Sequence, residues 1–235
     1  TNMYVRQIID SLAVDIIALQ EIKDIQNFNN ILDSLGNDWV GFRSGGIDSD
    51  YQELSYIINT QNIEIVSNPY TILNDNSYYF AYREPYVLEI SYQNNNFILI
   101  NIHYKCCSGS EDRRLQASLL LHSYINTFFN DSKVIVLGDF NDLLIDDNNV
   151  FSPFLSDMNN FYFTDFTIAN SSTALWSFPS WPSHLDHILI TNELFNYVVD
   201  TQTVLVDWSL NGGLSAYDAY ISDHRPVMLK ILLDD

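Results

Sequence analysis

Ionisable and amide side chains stand at the ends of this chain's apolar runs. Gln20 and Glu21 close VDIIALQ, Asn101 and His103 fall at the end of NFILINIHY, and Asp139 and Asn141 follow KVIVLG. Asp186 opens the strand that continues as HILIT, and Asp223 and His224 precede RPVMLKILL. Apolar runs of this length read as buried strands. Strand ends are rigid, so polar groups converging there make a preorganised site. Taken singly, each has a plain reading: Glu21 as a solvated turn carboxylate, Asp139 as a turn cap, His103 as a hydrogen-bonded structural histidine. Five such ends together, with no serine-nucleophile signature, point to one site. Carboxylate and amide oxygens are hard ligands that suit Mg²⁺, Mn²⁺ or Ca²⁺ rather than zinc. Two histidines are then left for proton transfer, each oriented by a carboxylate. That set fits hydrolysis of a phosphate ester, in which a cation neutralises phosphoryl charge and a base activates water.

The elements that must position these groups are legible in outline. Val5, Ile8, Ile9 and Leu12 share one face of an opening helix. Residues 14–20 form a strand buried on both faces, and residues 27–35 a second helix. Strands are expected at 54–59, 63–67, 78–83, 86–92 and 97–104, with a hairpin turn at Asn94-Asn95-Asn96. The longest helix covers about 111–130, with Ser108 and Glu111 as a capping box and Leu115 and Leu119 in its buried stripe. Further strands are expected at 133–138, 186–191, 202–207 and 225–233. Many strands with a few helices, in mixed order, argue for packed sheets flanked by helices. There are no repeats, no linker and no domain boundary.

The chain's 235 residues are enough for a sizeable core, and no apolar run is long enough to span a membrane. Its formal charge is −20, from 30 acidic against 10 basic residues, and such a surface repels polyanions. A nucleic-acid substrate therefore needs bridging cations and a few well-placed basic groups, for which Lys105, Arg113 and Arg114 are candidates. Most of the charge reads as solubility. No signal peptide is visible. Cys106 and Cys107 are adjacent, so they build neither a disulfide framework nor a four-ligand zinc site. They read as two free thiols, with a vicinal disulfide as the alternative in an oxidising compartment.

DIIALQE, NIHYK, GDFND, SHLDHILIT and SDHRPV occur here in the order they take in the endonuclease/exonuclease/phosphatase superfamily, which the chain resembles from about residue 5 to its end. YQELSYIIN and YFAYREPYVLE are similar to the corresponding pieces of its deoxyribonuclease I-like members. The resemblance implies an α/β (α+β) fold, a four-layer sandwich of two packed mixed β-sheets flanked by helices, over one domain covering 1–235. It implies Glu21, Asp223 and Asp139 as metal residues, and Glu53 as the carboxylate orienting a catalytic His103. Asp139 and Asn141 would contact phosphate and metal, and Asp186 would hold His224. Arg83 would meet the DNA backbone, with Lys105 and Asn141 beside it. Water would attack phosphorus, with His224 as base and His103 assisting the leaving oxygen, or the two exchanged. The superfamily usually opens with a strand carrying a metal-binding Asn, and this sequence starts after that point.

The expected function is thus a Mg²⁺- or Mn²⁺-dependent phosphodiester hydrolase, foremost a DNA endonuclease of low sequence specificity. The run HYKCCSGSEDRR resembles secreted bacterial members, which implies an extracellular or periplasmic setting, and a monomer is expected. One alternative is a phosphodiesterase or phosphatase on small or lipid phosphates, which the acidity favours. Another is a catalytically weak domain stabilised by structural Ca²⁺ at the Asp-rich loops 48–50 and 146–149. His122 is expected at the surface and His187 in packing. The segment 175–184, rich in Trp and Pro, is read either as an aromatic wall beside the substrate or as a loop packed on the core.

Overall fold

A computed structural model describes residues 2–46 and 51–233. The chain runs through α1 (Asn2–Leu12), β1 (Ile16–Ile22), α2 (Ile25–Leu35), β2 (Trp39–Arg43), β3 (Glu53–Asn59), β4 (Glu64–Ile65) and β5 (Tyr70–Thr71). It continues through β6 (Tyr86–Tyr92), β7 (Asn95–His103), α3 (Glu111–Phe128), β8 (Val134–Asp139), α4 (Ser152–Leu155), β9 (Phe161–Phe163) and α5 (Phe166–Ala169). β10 (Asp186–Thr191), β11 (Val198–Thr203), α6 (Gly213–Tyr220) and β12 (Val227–Ile231) complete it.

Alternation along the strands builds the layers. In β7, Phe97 and Leu99 point to one face and Ile100 and Ile102 to the other. The first face packs against Leu54, Tyr56 and Ile58 of β3 and against Val227 and Leu229 of β12. The second is covered by Ala117, Leu121 and Ile125 of α3. Across the opposite sheet, Ile9 of α1 and Phe28 of α2 cover Ile57. The result is helices, sheet, sheet, helix, as the sequence resemblance implies.

The larger sheet has the order β4-β6-β7-β8-β10-β9, with β5 also paired to β6. Its centre is the parallel pair β7–β8, joined by the α3 crossover. Gly138 sits at that seam with φ +139°, and a Cβ there would meet the Ile102 carbonyl at 2.1 Å, so only glycine lets β8 lie this close. The facing layer is in two parts, β1-β3-β2 and the hairpin β11-β12. A cavity of about 1010 Å³ lies where the edges of β1 and β12 face one another, lined by Leu12, Leu99, Leu137 and Ile188, and it reaches Glu21 and His224.

Several local expectations are corrected. Residues 78–83 form a turn, with Ala81 and Tyr82 at φ 55° and 61°, because the chain must reverse before Pro85 to enter β6. The strand expected at 202–207 is β11, which lies earlier, and Val206–Ser209 is a 3₁₀ turn. The helix cap is Ser110 rather than Ser108, and the Glu111 carboxylate accepts from the Gly109 N–H. Leu119 is exposed; the buried stripe of α3 is Arg114, Ala117, Ser118, Leu121 and Ile125. The loop at 48–50 lies outside the described residues. Loop 146–149 is closed by Asn149, whose amide donates to the Leu144 carbonyl and whose oxygen accepts from Phe151.

Candidate active site

Strand register brings the predicted polar ends together. His103 of β7 lies beside Asp139 of β8, and Asp139 lies opposite Asp186 of β10. Three residues separated by up to 83 positions therefore form one row across the sheet's upper edge. His224, which follows α6 and precedes β12, reaches the row from the other layer, its Nδ1 2.7 Å from Asp186 Oδ2. Phe178 packs against its ring, tilted, with centroids 4.9 Å apart, so the Trp- and Pro-rich segment supplies one aromatic wall of the site. Burial disfavours the His224 imidazolium, but the charge and hydrogen bond of Asp186, with Asp139 and Asp223 adding, raise His224 to about 10. Asp186 is held low in return; its burial works the other way but is outweighed by His224 and by the Ser177 hydroxyl.

Glu21 enters from β1. A bulge between Leu19 and Ile22 breaks the register, and Glu21 takes φ 61°. Left-handed geometry on a non-glycine residue is uncommon, and here it turns the carboxylate outward, over the row. Its Oε1 is 3.9 Å from His103 Nε2, and Asp139 Oδ2 is 3.3 Å from the same nitrogen. Asp139 is itself oriented by Asn141, whose backbone N–H and side-chain amide donate to the two carboxylate oxygens at 2.8 and 2.7 Å. Asp223 stands exposed next to His224. These are oxygen donors at an open rim, the chemistry of a hard divalent cation. Glu21, Asp139 and Asp223 carry oxygen donors of the kind such an ion takes, but their ligand atoms do not all lie within 4.8 Å of one another here.

Four expected roles meet a different geometry. Arg83, expected at the substrate, is buried, with its guanidinium engaged by the chain itself. Its guanidinium donates to the carbonyls of His103 (3.2 Å) and Tyr104 (3.0 Å) and to Gln52 (2.7 Å), and desolvation lowers its pKa. It fixes the backbone that carries His103. Glu53 is not on His103: the Ser44 hydroxyl donates to it at 2.6 Å, and its side chain fills the space that a Cβ on Gly45 would need. The buried Nδ1 of His103 has no hydrogen-bond partner among the described residues. Asn141 gives its amide hydrogens to Asp139 and to the Tyr104 carbonyl (3.2 Å) rather than outward. Lys105 donates to Cys106 Sγ at 3.4 Å. Asn101, fully buried, bridges the two sheets through Leu19, Ser55 and Gln20.

Sequence reasoning missed a second histidine–carboxylate cluster. Asp165 accepts from His184 Nε2 at 3.0 Å, from His187 Nδ1 at 2.6 Å and from the Ile188 N–H at 2.9 Å. The far nitrogens are also engaged, His187 Nε2 donating to the Asp142 carbonyl (2.9 Å) and His184 Nδ1 accepting from Ser177 (3.3 Å). Among the described residues this is the one group whose ligand atoms all lie within 4.8 Å of each other. Every such atom is spent on an internal hydrogen bond, and Phe140, Phe151 and Phe163 pack around His187. The cluster is a buried brace under the GDFND loop. Arg114 (2.7 Å to Asp142) braces the same loop, and the bidentate Arg225–Asp207 pair (2.8 and 2.7 Å) holds the segment at Ala174 and Trp176, whose carbonyls also accept from Arg225. His122 is partly exposed and bonded to Asp157 at 2.9 Å.

A family model described as "Endonuclease/Exonuclease/phosphatase family" matches residues 2–224. No curated protein matches the chain by sequence. Among solved structures, D. rerio TDP2, humanized by 14 mutations, superposes with TM-score 0.76 at 12% identity, over 99% of this chain and 91% of that one. D. rerio TDP2 complexed with a single-strand DNA product gives 0.74 at 12%, over 99% and 91%. A mannosyl-6-phosphatase of Bacteroides thetaiotaomicron gives 0.72 at 14%, over 99% and 90%.

Proposed function

The chain belongs to the endonuclease/exonuclease/phosphatase family, whose members are divalent-metal-dependent hydrolases of phosphoester bonds, and on that premise we propose that it hydrolyses phosphodiesters, with a DNA strand as substrate and no base readout. Residues 1–235 act as one domain of that family. The observation that carries the reading is the row His103–Asp139–Asp186 with His224 bonded to its last member at 2.7 Å.

In the mechanism, Glu21, Asp139 and Asp223 would hold Mg²⁺ or Mn²⁺, and that ion would neutralise charge at the phosphoryl oxygens. Asp186 fixes the His224 ring through Nδ1, leaving Nε2 to take a proton from the attacking water. A cation held by Asp139 and Asp223 would weaken their pull on the imidazolium and so would favour the neutral, proton-accepting form of His224. The water oxygen bonds to phosphorus, the ester P–O bond breaks, and His103 serves the departing oxygen. Asn141 and Arg83 act through others, the first by aiming Asp139, the second by holding the His103–Tyr104 backbone.

The solved TDP2 complex with single-strand DNA product supports the nucleic-acid reading. Tyr78 and Tyr82, exposed beside Arg113, offer faces on which bases can stack without sequence preference. A second reading, a small or lipid phosphate ester, is favoured by the charge of −20 and by the burial of Arg83. A substrate panel separates them: supercoiled plasmid, single-stranded DNA, RNA, abasic DNA, a phospholipid, an inositol phosphate and a sugar phosphate, each with Mg²⁺, Mn²⁺ and Ca²⁺. Nicking and strand cleavage well above hydrolysis of the small esters is the expected result. Turnover of the small esters alone overturns the DNA assignment.

A further inference from the structure

Cys106 and Cys107 are the chain's two cysteines, three and four residues beyond His103. Their sulfurs lie 2.7 Å apart, inside the ordinary contact distance of two thiols, so the turn holds the pair within reach of a bond. Cys107 holds φ 76°, a left-handed geometry unusual for a residue with a side chain. The turn is clamped from inside. Arg114, buried in α3, donates to the carbonyls of Lys105 (2.8 Å) and Cys107 (3.0 Å), and its Nε is anchored on Asp142 at 2.7 Å. Lys105 Nζ donates to the Cys106 sulfur at 3.4 Å. The neighbouring Cys107 thiol, ahead of Lys105, holds the Cys106 thiol below its ordinary range. Cys107 is exposed and Cys106 half-buried, so a small reagent reaches the pair. Phosphoester hydrolysis uses neither thiol.

We propose that Cys106 and Cys107 are a modification site, at which exchange with a small-molecule disulfide closes a reversible vicinal disulfide and releases Lys105 from its sulfur. One cysteine thiolate attacks the small disulfide, forming a mixed disulfide and expelling one thiolate. The neighbouring cysteine then attacks the protein sulfur of that mixed disulfide and expels the second. Two protein S–H bonds are lost and one S–S bond forms; the small disulfide is reduced to two thiols, which take up the protons. Adjacent Cα atoms are about 3.8 Å apart, below the usual span of roughly 4.4–6.8 Å for bridged cysteines. Such a ring is strained and easily reduced, which makes the step reversible. A bridged sulfur is a poor acceptor for an ammonium group, so Lys105 turns free at the end of the strand that carries His103. Its use toward a substrate phosphate rests on the reading under Proposed function; the disulfide does not.

The test uses the whole chain and readouts independent of turnover. The protein is equilibrated in mixtures of oxidised and reduced glutathione, pulsed with an amine-acylating ester, acid-quenched, alkylated and analysed by intact and peptide mass. Oxidising mixtures are expected to give a species lighter by two hydrogen atoms, with neither thiol alkylated, and reduced glutathione restores it. Lys105 acylation is expected to rise several-fold in that species. Cys107→Ala, at an exposed position, is expected to stop at a glutathione adduct on Cys106, and Cys106→Ser at one on Cys107. Two alkylatable thiols in every mixture, or only adducts and cross-linked dimers in the unaltered chain, overturn the proposal. A disulfide that leaves Lys105 acylation unchanged overturns the release of Lys105.

Discussion

Asp186→Asn tests the site most directly, because it keeps the shape of the side chain and removes only its charge. Asp186 accepts from His224 Nδ1 at 2.7 Å, and its charge is the largest influence raising His224 from 6.5 to about 10. At about 1.4 kcal/mol per tenfold, that rise corresponds to a net of roughly 5 kcal/mol favouring the imidazolium, what Asp186, Asp139 and Asp223 leave after the opposing cost of burial. A charge-assisted hydrogen bond contributes about 1.5–3 kcal/mol and a neutral one about 0.5–1.5, so the amide should retain less than half of the pair's strength. Proton transfer by a positioned side chain is worth roughly 10²–10⁴ in rate. Loss of the charge, with the weaker hold on the ring that follows from it, should lower kcat by up to that factor, with KM changed little. The assay is initial-rate hydrolysis of a nitrophenyl phosphodiester with Mg²⁺ or Mn²⁺, run beside thermal unfolding of the same sample. NMR titration of the metal-free variant should show His224 moving back toward 6.5. A variant within about threefold of the parent kcat, far outside the general-base range, with His224 still titrating high, would refute the reasoning.

Other outcomes follow from the same geometry. His224→Ala should abolish hydrolysis while the chain still folds, with a lowered unfolding temperature because Asp186 loses its partner, and excess chelator should stop turnover; full activity in either case removes that group from the mechanism. Asp165→Asn strips the partner from two buried imidazoles and should cost about 3–5 kcal/mol, at about 2–4 °C of unfolding temperature per kcal/mol; an unchanged melting curve would show the cluster is not a brace. Stability should also vary with pH in a stated direction. His187 and His224 are raised, so their contributions are complete below about 6.5, the unfolded histidine value, and are lost as pH climbs through their folded values. Asp165 is depressed, so its contribution is present above about 3.9, the unfolded value, and lost as pH falls well below it. Chelated protein should therefore be most stable between those limits, and a melting temperature that climbs from pH 7 to 10 would contradict the assignments. Arg83→Gln should lower kcat several-fold and destabilise the chain rather than weaken substrate binding; a selective rise in KM would return Arg83 to the substrate.

Much of the fold and the outline of the site could be read directly from residue order. A strand carries its own evidence in an unbroken apolar run, and DHILIT and KVIVLG became strands within a residue of where they were expected. The polar residues at their ends were visible because a hydrophilic group after such a run has few structural reasons to be there. What failed was local: YYFAYR has the aromatic content of a strand but is a turn, since strand-forming side chains also suit a buried corner. Partnership was illegible. Whether His103 meets Glu53 or Asp139 depends on register between β7 and β8 and on a Ser44 hydroxyl that takes Glu53 first. Whether Arg83 faces solvent or carbonyls depends on where a turn carries its guanidinium. The His184–Asp165–His187 brace joins positions about twenty residues apart with no spacing that marks them. Side-chain type and apolar periodicity are local properties, written in neighbouring residues; hydrogen-bond partners are set by distances between strands, which only the packed sheets define.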